Sequence, residues 1–137
     1  MTEPERRTLR DLRTSLLQLH KTLLDWERTA YERANGRTSP GELLKALTSD
    51  PHFAWLRPVS ELIVRMDLML DADPDDAGGG DVQMVIAQTQ ALLVADEHGT
   101  PYARRYYTAL QEHPDAIFAH RQVTSVLKKN PAKETLH

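Results

Sequence analysis

At 137 residues, with 40% apolar and 27% charged side chains, the chain has the size and composition of one ordinary globular domain rather than a disordered segment. It contains no cysteine, which excludes disulfides, thiolate metal sites and thiol nucleophiles and points to a reducing, cytoplasmic setting. The net charge of −3 is unevenly spread: residues 38–101 carry three Lys/Arg against eleven Asp/Glu, a local balance of −8, where a nucleic-acid binder would need a basic stripe.

The N-terminal MTEPERRTLRDLR is charged and has no apolar run, so no signal peptide is expected there. Residues 1–6 are expected to fray. The first helix follows. Leu9, Leu12, Leu16, Leu19, Leu23, Trp26 and Ala30 recur at alternating spacings of three and four, and Leu17, Leu24 and Tyr31 are expected to widen that stripe. Arg7/Asp11, Lys21/Asp25 and Arg28/Glu32 are placed four apart on its polar side. Asn35-Gly36 supplies the stop, which makes the helix roughly 28 residues and about 40 Å long.

Ser39-Pro-Gly-Glu42 has the form of a capping box with proline in the first turn, and opens a short helix through Leu43, Leu44 and Leu47. Asp50-Pro51 repeats the start signal, and His52-Phe-Ala-Trp-Leu56 reads as one buried turn. A helix from about Pro58 carries Val59, Leu62, Ile63, Met66, Met69 and Leu70 on one face. Residues 71–80, acidic and ending in three glycines, form the predicted loop. Asp81 then caps a helix expected to reach His98, Thr100-Pro101 starts another, and Pro114 breaks the chain before a last stripe of Ile117, His120, Val123 and Leu127. Residues 131–137 are expected to fray. The fold class is therefore all-α: a single domain, 1–137, with a four-helix-bundle-like core and additional short helices, five or six in total.

Few residues point to chemistry. Helical bundles that hold metals use Glu-x-x-His pairs on facing helices, and this chain has none. His20 and Glu27 lie seven apart on one row, as do His113 and His120, too far apart for either pair alone to clasp an ion. Asp71, Asp73, Asp75 and Asp76 begin like a calcium loop, but Asp76 stands where glycine is needed and Val82 where glutamate is needed. Gly78-Gly79-Gly80 has neither the lysine nor the preceding strand of a phosphate cradle. Tyr102-Ala-Arg-Arg-Tyr-Tyr107 could stack bases, but tyrosines at the edge of a core with hydroxyls in water explain it as well. No serine sits in a Gly-x-Ser-x-Gly elbow, and the Asp67/Asp71 pair reads as surface. Phe53-Ala-Trp-Leu-Arg-Pro58, aromatic and bracketed by prolines, is too short to bury itself and must pack onto something.

Leu19-His-Lys-Thr-Leu-Leu-Asp-Trp-Glu-Arg-Thr-Ala-Tyr-Glu-Arg33, Ser39-Pro-Gly-Glu-Leu-Leu44 and Asp50-Pro-His-Phe-Ala-Trp-Leu-Arg-Pro58 together resemble small, uncharacterised all-helical bacterial proteins over roughly residues 16–71. The resemblance implies a bacterial, cytoplasmic setting and carries over no catalytic or binding residue.

The leading expectation is a non-enzymatic helical module acting through protein–protein contact or regulation, as a homodimer or with another protein, and anchored by Phe53 and Trp55. No cofactor is implied, no membrane span is expected and nucleic acid is disfavoured. The rival is a small-ligand- or metal-binding bundle in which His20, Glu27, His52 and Arg57 meet if the aromatic corner folds over the first helix.

Overall fold

The computed structural model describes residues 1–72 and 79–130, and among them the chain forms seven α-helices and no strand. They are α1 (Glu3–Asn35), α2 (Pro40–Ser49), α3 (Pro51–Ala54), α4 (Arg57–Asp71), α5 (Gly79–Leu92), α6 (Pro101–Glu112) and α7 (Pro114–Lys129). The all-α class holds. The count exceeds the expected five or six because the segment read as one buried turn forms a short helix of its own, α3, started by Pro51 after the Asp50 cap.

α1 starts earlier than its leucine stripe, inside the segment expected to fray. Thr2 accepts the Glu5 amide while the Glu5 carboxylate accepts the Thr2 amide, and Arg6 Nη1 donates to the Leu70 carbonyl at 2.8 Å. At its other end Gly36 takes φ +84°, the left-handed region open to glycine at little cost.

Leu9, Leu12, Leu16, Leu19 and Leu23 are fully buried, but the inward row then passes to Glu27 and leaves Trp26 only partly covered. A straight helix of 3.6 residues per turn drifts by about 20° per heptad against a 3.5-residue pattern, which brings Glu27 back to the azimuth of Leu9. The same geometry leaves Leu17 outside the stripe it was expected to widen. Of the three ion pairs anticipated along α1, Arg28–Glu32 alone comes within 4 Å, at 3.7 Å, among the described residues.

α1 is the axis of the molecule. Arg6 meets Leu70, Arg13 Nε donates to Asp67, and His20 shares a pocket wall with Ser60, so α4 runs antiparallel to α1. Asp67, read as surface, therefore holds an inter-helix ion pair. Arg65 donates to Gln88 at 2.8 Å while Pro58 and Leu62 face Ala91 and Leu92, so α5 reverses direction again. α7 lies along α1 more extensively than any other helix, its inward Ala116, Ala119 and Val123 small enough for close approach. Buried side chains of α1, α4, α5 and α7 form one core, with Tyr106 and Ala109 added from α6. α2 packs on α3, and α3 on α1.

α5 ends at Leu92, short of the expected His98. The Leu93 and Val94 amides turn back to Gln90 and Ala91. Asp96 then donates its own amide to the Ala103 carbonyl at 3.1 Å and accepts the His98 amide at 2.9 Å on its carboxylate. Gly99 closes this turn so tightly that an added Cβ would lie 3.0 Å from Asp96 Cβ. These bonds replace those a longer helix would make. Of the predicted 71–80 loop, Asp73, Asp75, Asp76 and Gly78 lie outside the described residues, as does 131–137; Asp71 ends α4, and Gly79 opens α5.

Candidate functional site

The aromatic corner folds over the C-terminal third of α1. Asp50 caps α3 by accepting the His52 amide at 2.8 Å, which fixes the first turn and aims His52 at α1. The His52 ring packs edge-on against Phe53, and both rings touch Tyr31. Trp55 follows one turn later, its ring edge-on to Trp26 at 6.5 Å and tilted onto Tyr102 of α6 at 5.4 Å. Tyr102 stacks in turn on Tyr106.

Glu27 lies at the centre of this layer, with only 1% of its surface exposed. Arg105 of α6 reaches it in a bidentate clasp, Nε donating to Oε2 at 3.0 Å and Nη2 to Oε1 at 2.6 Å. The Trp55 indole N–H also donates to Oε2, and His52 Nε2 stands 3.0 Å from Oε1 and 3.3 Å from the Glu27 carbonyl oxygen. Three N–H groups, two from Arg105 and one from Trp55, thus donate to one carboxylate, with the His52 ring nitrogen beside it. The Glu27 hydrogen bond, followed by its charge and that of Glu112, holds the Arg105 guanidinium above its ordinary pKa against the opposing effect of burial. Arg105 also lies 4.3 Å from the centre of the Trp26 ring, whose indole N–H donates to Glu112 at 3.3 Å.

A second polar contact sits deeper. The Tyr106 hydroxyl is 2.5 Å from His120 Nδ1, with both side chains packed against the core. This corrects the expectation that the tyrosine hydroxyls of α6 stand in water: Tyr106 is fully buried, and the Tyr102 hydroxyl is shielded with no hydrogen-bond partner among the described residues. Burial pushes both phenols far above their ordinary range and His120 below its own.

The four residues grouped from sequence as ligand-binding divide into two pairs. Glu27 and His52 touch, whereas His20 and Arg57 line a separate pocket with Leu24, Leu47, Phe53, Leu56 and Ser60. Phe53 joins the two, with its ring against His52 and its edge in the pocket wall. Of the two residues proposed as interaction anchors, Phe53 is buried within the chain, and Trp55 is partly covered by Trp26 and Tyr102.

Arg105 and Trp26 were not singled out as site residues. Arg105 stands 78 positions from Glu27, and nothing local marks it as a partner. The one available signal was Glu27 itself, a carboxylate at the azimuth of Leu9 on a leucine row. Among the described residues no group of three or more His, Asp or Glu side chains is arranged to hold a metal ion, and no helix is long and apolar enough to cross a membrane.

No family model matches the chain, and neither a curated protein nor a solved structure matches it.

Proposed function

We propose that the protein is a non-enzymatic helical interaction module that associates with a second copy of itself. The observation that carries this reading is an uncovered apolar strip on the outer side of the α1–α4 pair. Leu17, Val64 and Leu68 are 43%, 55% and 66% exposed. The antiparallel register that pairs Arg13 with Asp67 and sets His20 by Ser60 puts Leu17 opposite Val64, with Leu68 one turn further along α4. Exposed apolar side chains that the register gathers on one water-facing side favour a partner, and a twofold axis lets one such side cover its own copy.

The chemistry of the Glu27 cluster supports a structural rather than catalytic role for that cluster. Its carboxylate is buried and held by the Arg105 guanidinium and the Trp55 indole, an arrangement that ties elements together rather than presenting the group to a substrate. It joins α1, the α3–α4 corner and α6, and so sets the orientation of the α4 face that bears Val64 and Leu68.

Sedimentation velocity of the untagged protein tests the proposal. The expected result is a concentration-dependent dimer that Leu68→Glu converts to monomer with an unchanged melting temperature, since Leu68 is exposed. A wild-type chain that stays monomeric up to about 1 mM, where even weak self-association is populated, overturns it. So does a Leu68→Glu variant that remains dimeric.

A further inference from the structure

His20 and Arg57, the pair left out of the Glu27 cluster, face a pocket of about 220 Å3 between α1, α2 and the start of α4. Four of its seven wall residues are apolar: Leu24 of α1, Leu47 of α2, Phe53 of α3, and Leu56 between α3 and α4. Its polar groups are the His20 imidazole, the Arg57 guanidinium and the Ser60 hydroxyl, and no acidic side chain lines it. The Ser60 hydroxyl donates to the Arg57 carbonyl at 3.0 Å. Among the described residues neither the His20 ring nor the Arg57 guanidinium has a hydrogen-bond or ion-pair partner. That contrasts with Arg105 and Arg13, both of which are paired with carboxylates.

A pocket with one free cation, one free imidazole and a majority of hydrocarbon selects for an anion with an apolar body. We propose that it binds a small monocarboxylate, with the carboxylate on Arg57, a hydrogen bond from His20, and the hydrocarbon against Leu24, Leu47, Phe53 and Leu56. The planar guanidinium fork matches a carboxylate, whereas a phosphate dianion would face a single cation and a largely apolar wall. Pockets for drug-sized ligands span roughly 300–1,000 Å3, so this one takes a shorter body of about four to eight carbons. Burial holds His20 below the ordinary histidine pKa, so at neutral pH the ring is uncharged and offers one N–H. The site is independent of self-association, although it lies on the same α1–α4 side, one turn from Leu17.

Titration of isotope-labelled protein with hexanoate, followed by amide and imidazole NMR shifts, tests the assignment, with hexan-1-ol as the uncharged control. The expected result is saturable shifts centred on residues 20, 24, 47, 57 and 60, with a Kd of roughly 0.1–1 mM for a ligand so small. Hexanol binds at least about tenfold more weakly, and Arg57→Gln, a change at an exposed side chain, removes that difference by weakening hexanoate alone. Leu68→Glu retains hexanoate binding, which separates this site from the proposed dimer face. Equal affinity for acid and alcohol, shifts that do not saturate by about 20 mM, or an Arg57→Gln variant that binds hexanoate normally each overturns the proposal.

Discussion

Glu27 shows how one side chain can organise a corner of the molecule. Its carboxylate is out of water, while Arg105 keeps 35% of its side chain exposed, so the two partners do not respond alike to loss of the other. Removing the carboxylate leaves Arg105 able to turn to solvent. Removing Arg105 leaves a buried carboxylate without its cationic partner, beside the Trp55 indole and the His52 ring. Arg105→Ala is therefore expected to cost about 3 kcal/mol in urea unfolding, at the low end for a broken buried pair because His52 and Trp55 remain. Arg105→Lys should recover only part of this, since an ammonium cannot bridge both oxygens in the plane of the carboxylate. An Arg105→Ala variant within about 0.5 kcal/mol of wild type would show that Glu27 reaches water without help.

Among the elements, the boundaries of α1 and α2 rest on short-range signals whose effects can be separated. Gly36 and Gly41 stand five positions apart, yet a methyl group added at either meets nothing within 4 Å. Sterics with neighbours therefore do not distinguish them; backbone conformation does. Gly36 ends α1 at φ +84°, whereas Gly41 lies in the first turn of α2 with no positive φ. Gly36→Ala is expected to lower stability by about 1 kcal/mol, and Gly41→Ala to raise it by a few tenths up to about 1 kcal/mol by reducing the freedom of the unfolded chain. Thermal melts of the two variants that moved in the same direction would contradict the assigned termini. α3, with only four residues, owes its place to the Asp50 cap and to the rings it lays on Tyr31 and Glu27 rather than to helix propensity.

For the molecule as a whole, two half-buried histidines couple folding to pH. Burial lowers the pKa of both His20 and His120 from the ordinary 6.5. As pH falls through 6.5 the unfolded chain takes up protons at these positions while the folded chain still excludes them. The unfolded state is then the one that binds more protons, so stability falls with pH; the contribution is intact above 6.5 and lost on approach to the folded-state values. The urea midpoint is expected to drop between about pH 7.5 and about pH 5.5, a window that lies above most carboxylate titrations. The combined His20→Gln, His120→Gln variant should show a flatter profile over the same window, whatever its absolute stability. A wild-type midpoint that stays constant across it would mean that both rings protonate freely in the folded state.

The amino-acid sequence by itself determined the helical class, the stop at Gly36, the capping box that starts α2, and the leucine row of α1. Each of these depends on residues within one or two turns of each other, because caps, φ preferences and 3.6-residue periodicity act over that distance. It also grouped Glu27 and His52, which the fold brings together, with His20 and Arg57, which line a separate pocket. Only the tertiary structure decided that Glu27 rather than Trp26 turns inward, that Arg105 closes on it from 78 positions away, and that His20 and Arg57 face a pocket of their own. It also decided that α5 stops at Leu92, because the hydrogen bond that ends it comes from outside the helix, between Asp96 and Ala103. Partner choice between distant segments follows from which helix faces pack together, and a charged side chain carries no local mark of the partner that packing will bring to it.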